Sequence, residues 1–413
     1  MSYESRTTIH ESRFANDWKE VMELKEISAK VQKSQRANCS FSELSKKTWQ
    51  EFEILYTVYG EWFFKLKKGG PEKMKQKSIT IMVMVAFLIG ISLLSVPAQA
   101  QIKLTYANFP PAPTFPCVQM EEWKKEVEQR TGGKVAVQTF PGSTLLNPKN
   151  MFEGVISGTA DIGCLAMSYQ PGRFPISEAI DQPVGFLSAK AASLALYDLI
   201  EKYNPKEFEQ VKIITLFTCP PANIMTIKPV KSLKDLKGLE LRVGGTQANI
   251  IQNLGGIPVA MPQSDTPEAL QKGTVKGHVS SMEVLKDFNY AAYTANATIA
   301  NLWVVTFAVV MNKDKWNSLP ADVKKVIDGM SKEWALWTGN YVDNHVLESL
   351  KWSKEKYNLQ IFELPASEKV EVPKLIKPLI DGYIERVTKA GLPGNQIMKD
   401  VYALKEKYEK QYK

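Results

Sequence analysis

Lys228–Gly256, KPVKSLKDLKGLELRVGGTQANIIQNLGG, decides the fold. LELRV (239–243) reads as a short buried strand, because aliphatic and β-branched side chains flank Arg242. Gly244-Gly245 turn the chain, Thr246 stands where it can cap the helix QANIIQNL, and Gly255-Gly256 stop that helix. Backbone N–H groups and the positive end of a helix dipole favour an anion at such a place, and a guanidinium at the strand's end adds a bidentate fork. The competing reading of Arg242 is an ordinary surface or salt-bridged arginine.

The same strand–helix rhythm runs outward on both sides. IKLTYANF (102–109) predicts a first strand, PPAPTFP a turn, and Cys117 to Thr131 a helix ended by Gly132-Gly133. KVAVQTF, the helix NPKNMFEGVISG and the strand ADIGCLAM follow, an α/β unit with parallel strands. After a helix at 189–203 and the strand VKIITLFT, the pattern restarts at NIMTIK and continues through LELRV, IPVAM and KGHVSS as a second unit. TIANLWVVTFAVVMNK is too long for one strand and is expected to pass between two lobes. From Leu319 on the chain reads as amphipathic helix. The fold class is therefore α/β, two-lobed, with a ligand cleft between the lobes and long C-terminal helices. The expected division gives 101–219 plus 308–347 to lobe I, and 220–307 plus 348–413 to lobe II.

Met74 to Ala100, MKQKSITIMVMVAFLIGISLLSVPAQA, has the three regions of a secretory signal peptide, with cleavage expected before Gln101. Residues 1–73 precede it, and two readings stay open. Either Met74 is the true start and 1–73 is upstream sequence, or the apolar run anchors a cytoplasmic segment flanked by Lys65, Lys67, Lys68, Lys73, Lys75 and Lys77. The short run and the Ala98-Gln99-Ala100 site favour the first, and with it a periplasmic protein. Residues 101–413 carry 37 basic and 33 acidic side chains, a net charge of +4 that implies no nucleic-acid partner. Cys117, Cys164 and Cys219 are too few and too widely spaced for a disulfide framework, although one pair can close in an oxidising compartment.

No catalytic pattern is present: HExxH, CxxC, GxSxG, GxGxxG after a strand and GxxxxGK[ST] are all missing. His278 and His345 have no metal-ligand spacing, and His345 with Glu348 reads as a solvated helix face. No cofactor and no metal are expected. An exported, two-lobed chain without catalytic groups reads as a binding protein. An exported enzyme acting on a carboxylate, a membrane-anchored ligand sensor and a binding protein for an ATP-driven transporter are the alternatives.

KPVKSLKDLKGLELRV, GGIPVAMPQSDTPEALQKGTVKG and TFAVVMNKDKWNSLPADVKKVID, preceded by FPGSTLL, MFEGVISGTADIG and SYQPGRFP, resemble the solute-binding subunit of tripartite ATP-independent periplasmic (TRAP) transporters of the DctP type. The resemblance covers residues 101–400. It implies a periplasmic protein, monomer or homodimer, that closes on an organic acid and delivers it to one small and one large membrane subunit. It also implies that Arg242 pairs with the substrate carboxylate and that the glycine turn and the segment after Lys276-Gly277 line the cleft. Sialic-acid binders carry a second arginine and a QEN segment where this chain has CPPANI and HVSSMEVLK, which argues against polyhydroxylated acids. The expected ligand is an acid with one anchored carboxylate and a largely apolar remainder. Candidate ligand residues besides Arg242 are Trp303, Phe115, Tyr169, Thr246, Glu283 and Asn108, with Met167 and Met282 as further apolar candidates.

Overall fold

The computed structural model describes residues 101–245 and 247–412. Residues 1–100, where the signal peptide is expected, lie outside the described residues, as do Thr246 and Lys413.

The first sheet is built from β1 (Ile102–Asn108), β2 (Val135–Phe140), β3 (Ile162–Ala166), β4 (Val211–Thr218) and β10 (Thr306–Asn312), in the order β2-β1-β3-β10-β4. β1 runs parallel to β2 and β3, as the strand–helix alternation predicts, while β10 lies antiparallel between β3 and β4. Every residue of IGCLA in β3 is buried, the pattern of a strand covered on both faces. The covering helices are α1 (Phe115–Arg130), α2 (Met151–Ile156), the single turn α3 (Glu178–Asp181) and α4 (Ala189–Tyr203). α4 is capped by the Ser188 hydroxyl and ends on Asn204 in the left-handed region.

The second sheet, β11-β9-β5-β8-β6-β7, takes β5 (Asn223–Thr226), β6 (Glu240–Val243), β7 (Ile257–Ala260), β8 (Gly277–Ser280), β9 (Asn296–Ile299) and β11 (Gln360–Glu363). Its short helices are α5 (Ala248–Asn253), α6 (Thr266–Gln271) and α7 (Val284–Asp287). β6 is parallel to both β7 and β8, and Arg242 sits opposite Val259 and His278. SLKDL closes into a 3-10 turn rather than an α-helix, held by a capping box between Ser232 and Asp235.

The chain crosses between the sheets at 219–222 and again at 300–305, and these two passages bond to each other. Cys219 N–H donates to Val305 O at 3.0 Å, Ala222 N–H to Trp303 O at 2.7 Å, and Leu302 N–H to Ala222 O at 2.9 Å. The apolar stretch TIANLWVVTFAVVMNK is thus β9, an extended crossing and β10 in turn. After α8 (Lys313–Ser318), the 37-residue α9 (Ala321–Tyr357) packs on α1, α4 and β4 at one end and on α7 at the other. At Gly339 it meets the start of α4 so closely that a Cβ would lie 2.6 Å from Lys190 Cα.

The C-terminal region departs from the expectation of helix from Leu319 to the end, because β11 interrupts it and extends the second sheet beside β9. Nor does it stay with the second lobe as the division at 348–413 supposes. α10 (Ala366–Lys389) packs on α5, but α11 (Gly394–Gln411) returns to α3 and α4, burying Ile397, Met398, Val401 and Tyr408 in the core of the first sheet. Amphipathicity shows that a helix has an apolar face; it does not show which lobe covers that face.

Candidate functional site

β6 carries Arg242 into the space between the lobes, and burial of the strand carries its side chain inside with it: the residue is 3% exposed. The guanidinium is held by oxygens alone. Nε and Nη2 donate to Met261 O at 3.1 and 2.7 Å, and Nη2 also reaches Tyr169 Oη at 3.3 Å. Among the described residues no carboxylate pairs with it, and Nη1 makes no hydrogen bond. A buried charge left uncompensated by its own protein is costly, so the arrangement suits an anion supplied from outside. Tyr169 Oη accepts a second bond from Gln263 N–H at 3.0 Å. With both lone pairs engaged, its own O–H remains free to donate.

The neighbours of Arg242 do not neutralise it. His278, completely buried, touches Thr294 Oγ1 at 3.1 Å through Nε2 and is pushed down to about 3, first by burial and then by the Arg242 charge. It is therefore a neutral imidazole at physiological pH. The glycine turn gives room rather than unusual dihedrals: a Cβ on Gly244 would fall 2.6 Å from Gln247 Oε1, and one on Gly245 3.1 Å from Ser168 O of the facing lobe. α5 differs from the expected QANIIQNL helix. It has six residues and its N-cap, Gln247, makes no side-chain cap, so the helix end contributes little and the guanidinium dominates.

Arg242 opens onto a cavity of about 60 Å³ whose wall carries six aromatic rings among aliphatic and polar residues. Phe109, Phe115, Tyr169 and Phe307 line it from the first lobe, Trp303 from the crossing and Phe288 from the second lobe. These rings brace one another. Phe217 and Phe307 stack at 5.1 Å, Phe115 meets both edge-on at 6.0 and 5.9 Å, and Phe109 meets Tyr169 edge-on at 5.7 Å.

Two acids complete the lining. Glu283, 2% exposed, takes the Ser281 hydroxyl on Oε1 at 2.6 Å, while its Oε2 has no partner. Burial pushes its carboxyl up to about 8. Asp287 at the end of α7 accepts from Phe115 N–H at 3.0 Å and from His345 Nε2 at 2.6 Å, so it ties the second lobe to the start of α1 and to α9.

Of the residues named from sequence, Arg242, Trp303, Phe115, Tyr169 and Glu283 all line this one cavity. Thr246 lies outside the described residues. Asn108 is fully buried behind the lining residues Phe109 and Pro116: its Nδ2 donates to Pro116 O at 2.9 Å and its Oδ1 accepts from Phe109 N–H at 3.0 Å, fixing the turn into α1. Met167 lies beneath Ser168 beside Phe174 and Asp181, and Met282 packs with Val284 and Leu285 in the core beyond β8. His345 corrects the solvated-face reading. It is 7% exposed, between Asp287 and the ring of Tyr341, and only Glu348 is solvated. Ser281 falls in the segment after Lys276-Gly277 that was expected to line the cleft, whereas Phe109, Phe307 and Asp287 were not expected in the site. Phe109 follows a strand's carboxyl end, where the α/β rule directs attention; Phe307 carries no mark that separates it from core. Cys117, Cys164 and Cys219 are all buried free thiols. Among the described residues, no group of His, Cys, Asp and Glu could hold a metal ion.

Comparison with known proteins places this geometry. Residues 110–386 match the model of the DctP family, the bacterial extracellular solute-binding proteins of family 7. A TRAP periplasmic solute-binding protein of Desulfovibrio salexigens is 52% identical with a TM-score of 0.69, over 75% of this chain and 97% of its own; it was solved as an open complex with the C-terminus of a symmetry mate in its ligand-binding site. A marine metagenome TRAP solute-binding protein from an unidentified microbe, specific for aromatic acid ligands and solved with 3-hydroxybenzoate, is 28% identical with a TM-score of 0.72, over 75% of this chain and 99% of its own. The C4-dicarboxylate-binding periplasmic protein of Rhodobacter capsulatus is 24% identical over 71% of this chain and 90% of its own. The two sheets, the cleft between them and this match over most of the described chain agree: the protein belongs to family 7 of the bacterial extracellular solute-binding proteins, the solute-binding subunits of TRAP transporters.

Proposed function

We propose that the protein captures a small aromatic monocarboxylate outside the cytoplasm and presents it to the small and large membrane subunits of a TRAP transporter. The observation that carries this reading is a buried guanidinium with no anionic partner among the described residues, facing a cavity whose wall includes six aromatic rings. The carboxylate takes the free donors of Arg242 and the Tyr169 hydroxyl, and the ring lies against Phe115, Phe307 and Trp303. Among the described residues the lining holds one guanidinium and no second cation, which disfavours a dianion. The relative specific for aromatic acids supports the ligand class, and the C4-dicarboxylate binder is the contrast to test against. Binding rather than turnover is the role, as in the family to which the chain belongs.

Protein beginning at Gln101 is titrated with benzoate, 3-hydroxybenzoate and succinate by calorimetry and thermal shift. Aromatic acids should bind and raise the melting temperature by mass action. Arg242→Ala should lose about 3 kcal/mol, on the order of 150-fold in Kd, as for a broken buried charge pair. Arg242→Lys should recover part of that only, lacking the planar fork. Succinate binding tighter than every aromatic acid would overturn the ligand class, and an Arg242→Ala protein with unchanged affinity would overturn the anchor. N-terminal sequencing of the exported protein should begin at Gln101, and an uncleaved chain would overturn the signal-peptide reading.

A further inference from the structure

Glu283 is a carboxyl group that the fold has buried without giving it a charged partner. It stands just after β8, at the cavity wall, and its two oxygens are unequal: Oε1 is taken by the Ser281 hydroxyl, whereas Oε2 is buried and unpartnered. A buried polar atom with no partner is rare in folded proteins, and one lining a cavity beside a charge anchor calls for a partner that enters with the ligand. Resting on the carboxylate-binding reading above, we propose that Glu283 is a specificity-determining residue whose Oε2 binds a neutral hydroxyl or keto oxygen on the ligand, so the preferred solutes are oxygen-substituted aromatic acids rather than bare ones.

The chemistry of the surroundings chooses that substituent. The charged and titratable groups facing Glu283 are Asp287 on α7, His345 on α9 and the Cys219 thiol at the crossing. Asp287 and His345 are already paired with each other, and among the described residues no cation pairs with Glu283. Burial and the Asp287 charge both oppose its ionisation, so at neutral pH the carboxyl is mainly protonated, with Oε1 accepting from Ser281 and the proton on Oε2. The group presented to the cavity is therefore an O–H donor. A donor of this kind accepts a hydroxyl or carbonyl oxygen as partner and gives nothing to a bare ring. A site built to bond a substituent penalises the ligand that lacks it, because the buried donor is then left unpaired.

The test is calorimetry with benzoate, its three hydroxy isomers, phenylalanine and phenyllactate, on the wild type, Glu283→Gln and Glu283→Leu. At pH 7 the wild type should prefer one hydroxylated or hydroxy-acid ligand over its bare or amino counterpart by tenfold or more. Glu283→Gln, which keeps an N–H donor in the same place, should retain that preference within about threefold. Glu283→Leu should abolish it, weakening the substituted ligand and relieving benzoate of the unpaired donor, so that the two converge in affinity. Above pH 8 the wild-type preference should fade as the donor proton is lost, and that of Glu283→Gln should not. A preference unchanged in Glu283→Leu would overturn the assignment. So would tighter binding of phenylalanine than phenyllactate with collapse in Glu283→Gln, since that means a carboxylate reading an ammonium. If the acids bind through Arg242 but substituents make no difference, only this inference fails; if none binds, the carboxylate reading itself has failed.

Discussion

Replacing Asp287 with alanine asks whether one carboxylate holds the two lobes shut. The N-cap of α1, Thr114, makes no side-chain cap, and the first N–H of that helix, on Phe115, is satisfied instead by Asp287 Oδ2 reaching across from the second lobe at 3.0 Å. The other oxygen holds His345 on α9 at 2.6 Å. Losing a cap costs about 1 kcal/mol, and stranding one member of a buried hydrogen-bonded charge pair costs roughly 3–5 kcal/mol. Glu348, 3.3 Å from His345 Nδ1, stays behind and softens the second loss, so we expect the closed state to lose about 3 kcal/mol in all. Ligand affinity falls by the same amount if closure is linked to binding, about 150-fold in Kd. Asp287→Asn keeps an acceptor for Phe115 and loses only the charge, so it should weaken binding about five- to tenfold. Calorimetry with the best aromatic acid gives the affinities, and small-angle scattering of free and bound protein reports closure. An Asp287→Ala protein that binds within twofold of wild type and closes normally would refute the latch. The latch also has a pH sign. His345 is raised above its ordinary value by Asp287 and then Glu348, against the opposing effect of burial and of Lys286. Its stabilisation is therefore complete below the ordinary histidine value and is lost as pH rises through the raised one. Affinity should drop across that window, and the drop should flatten in Asp287→Asn. Glu283 also titrates in this cavity, so the measurement belongs in the Glu283→Gln background.

Three further outcomes are expected. Gly339→Ala places a methyl group 2.6 Å from Lys190 Cα and 3.0 Å from Ala189 O, backbone that cannot step aside; chemical denaturation should show a loss of about 1–3 kcal/mol, and an unchanged midpoint would contradict the close packing of α9 on α4. Phe307→Ala removes the ring that joins Phe109, Phe115 and Phe217, and should cost about 3–5 kcal/mol of stability as well as ligand affinity; affinity lost at full stability would mean that the ring touches ligand without bracing the wall. Burial pushes the Cys117 thiol up to about 12 and those of Cys164 and Cys219 up as well, so iodoacetamide should leave folded protein beginning at Gln101 unmodified by mass spectrometry and label these three cysteines once it is denatured.

The strand–helix rhythm around LELRV was legible because burial on both faces writes itself as short aliphatic runs with glycine stops. Arg242 was legible for the same reason, as the odd residue in such a run. The pairing of Asp287 with His345 was not. Both sit on helices, 58 positions apart, and each looks like a solvated residue within its own turn; only the crossing of α9 over α7 brings them together. Phe307 and Phe109 were hidden differently, since a ring facing a cavity and a ring facing core have the same neighbours in sequence. Asn108 shows the converse error. A polar residue at a strand's carboxyl end is as well used in fixing the next turn as in touching a ligand.

The four passages between the sheets, at 219–222, at 300–305, along α9 and back through α10 to α11, have a thermodynamic consequence. Neither lobe is a continuous length of chain, so neither can melt and leave the other with its core closed. Unfolding should be one cooperative event, with calorimetric and van't Hoff enthalpies equal. A ligand held by groups from both halves then stabilises both lobes together, and amide exchange should slow in β2 and β7, edge strands of the two different sheets, when the cleft is filled.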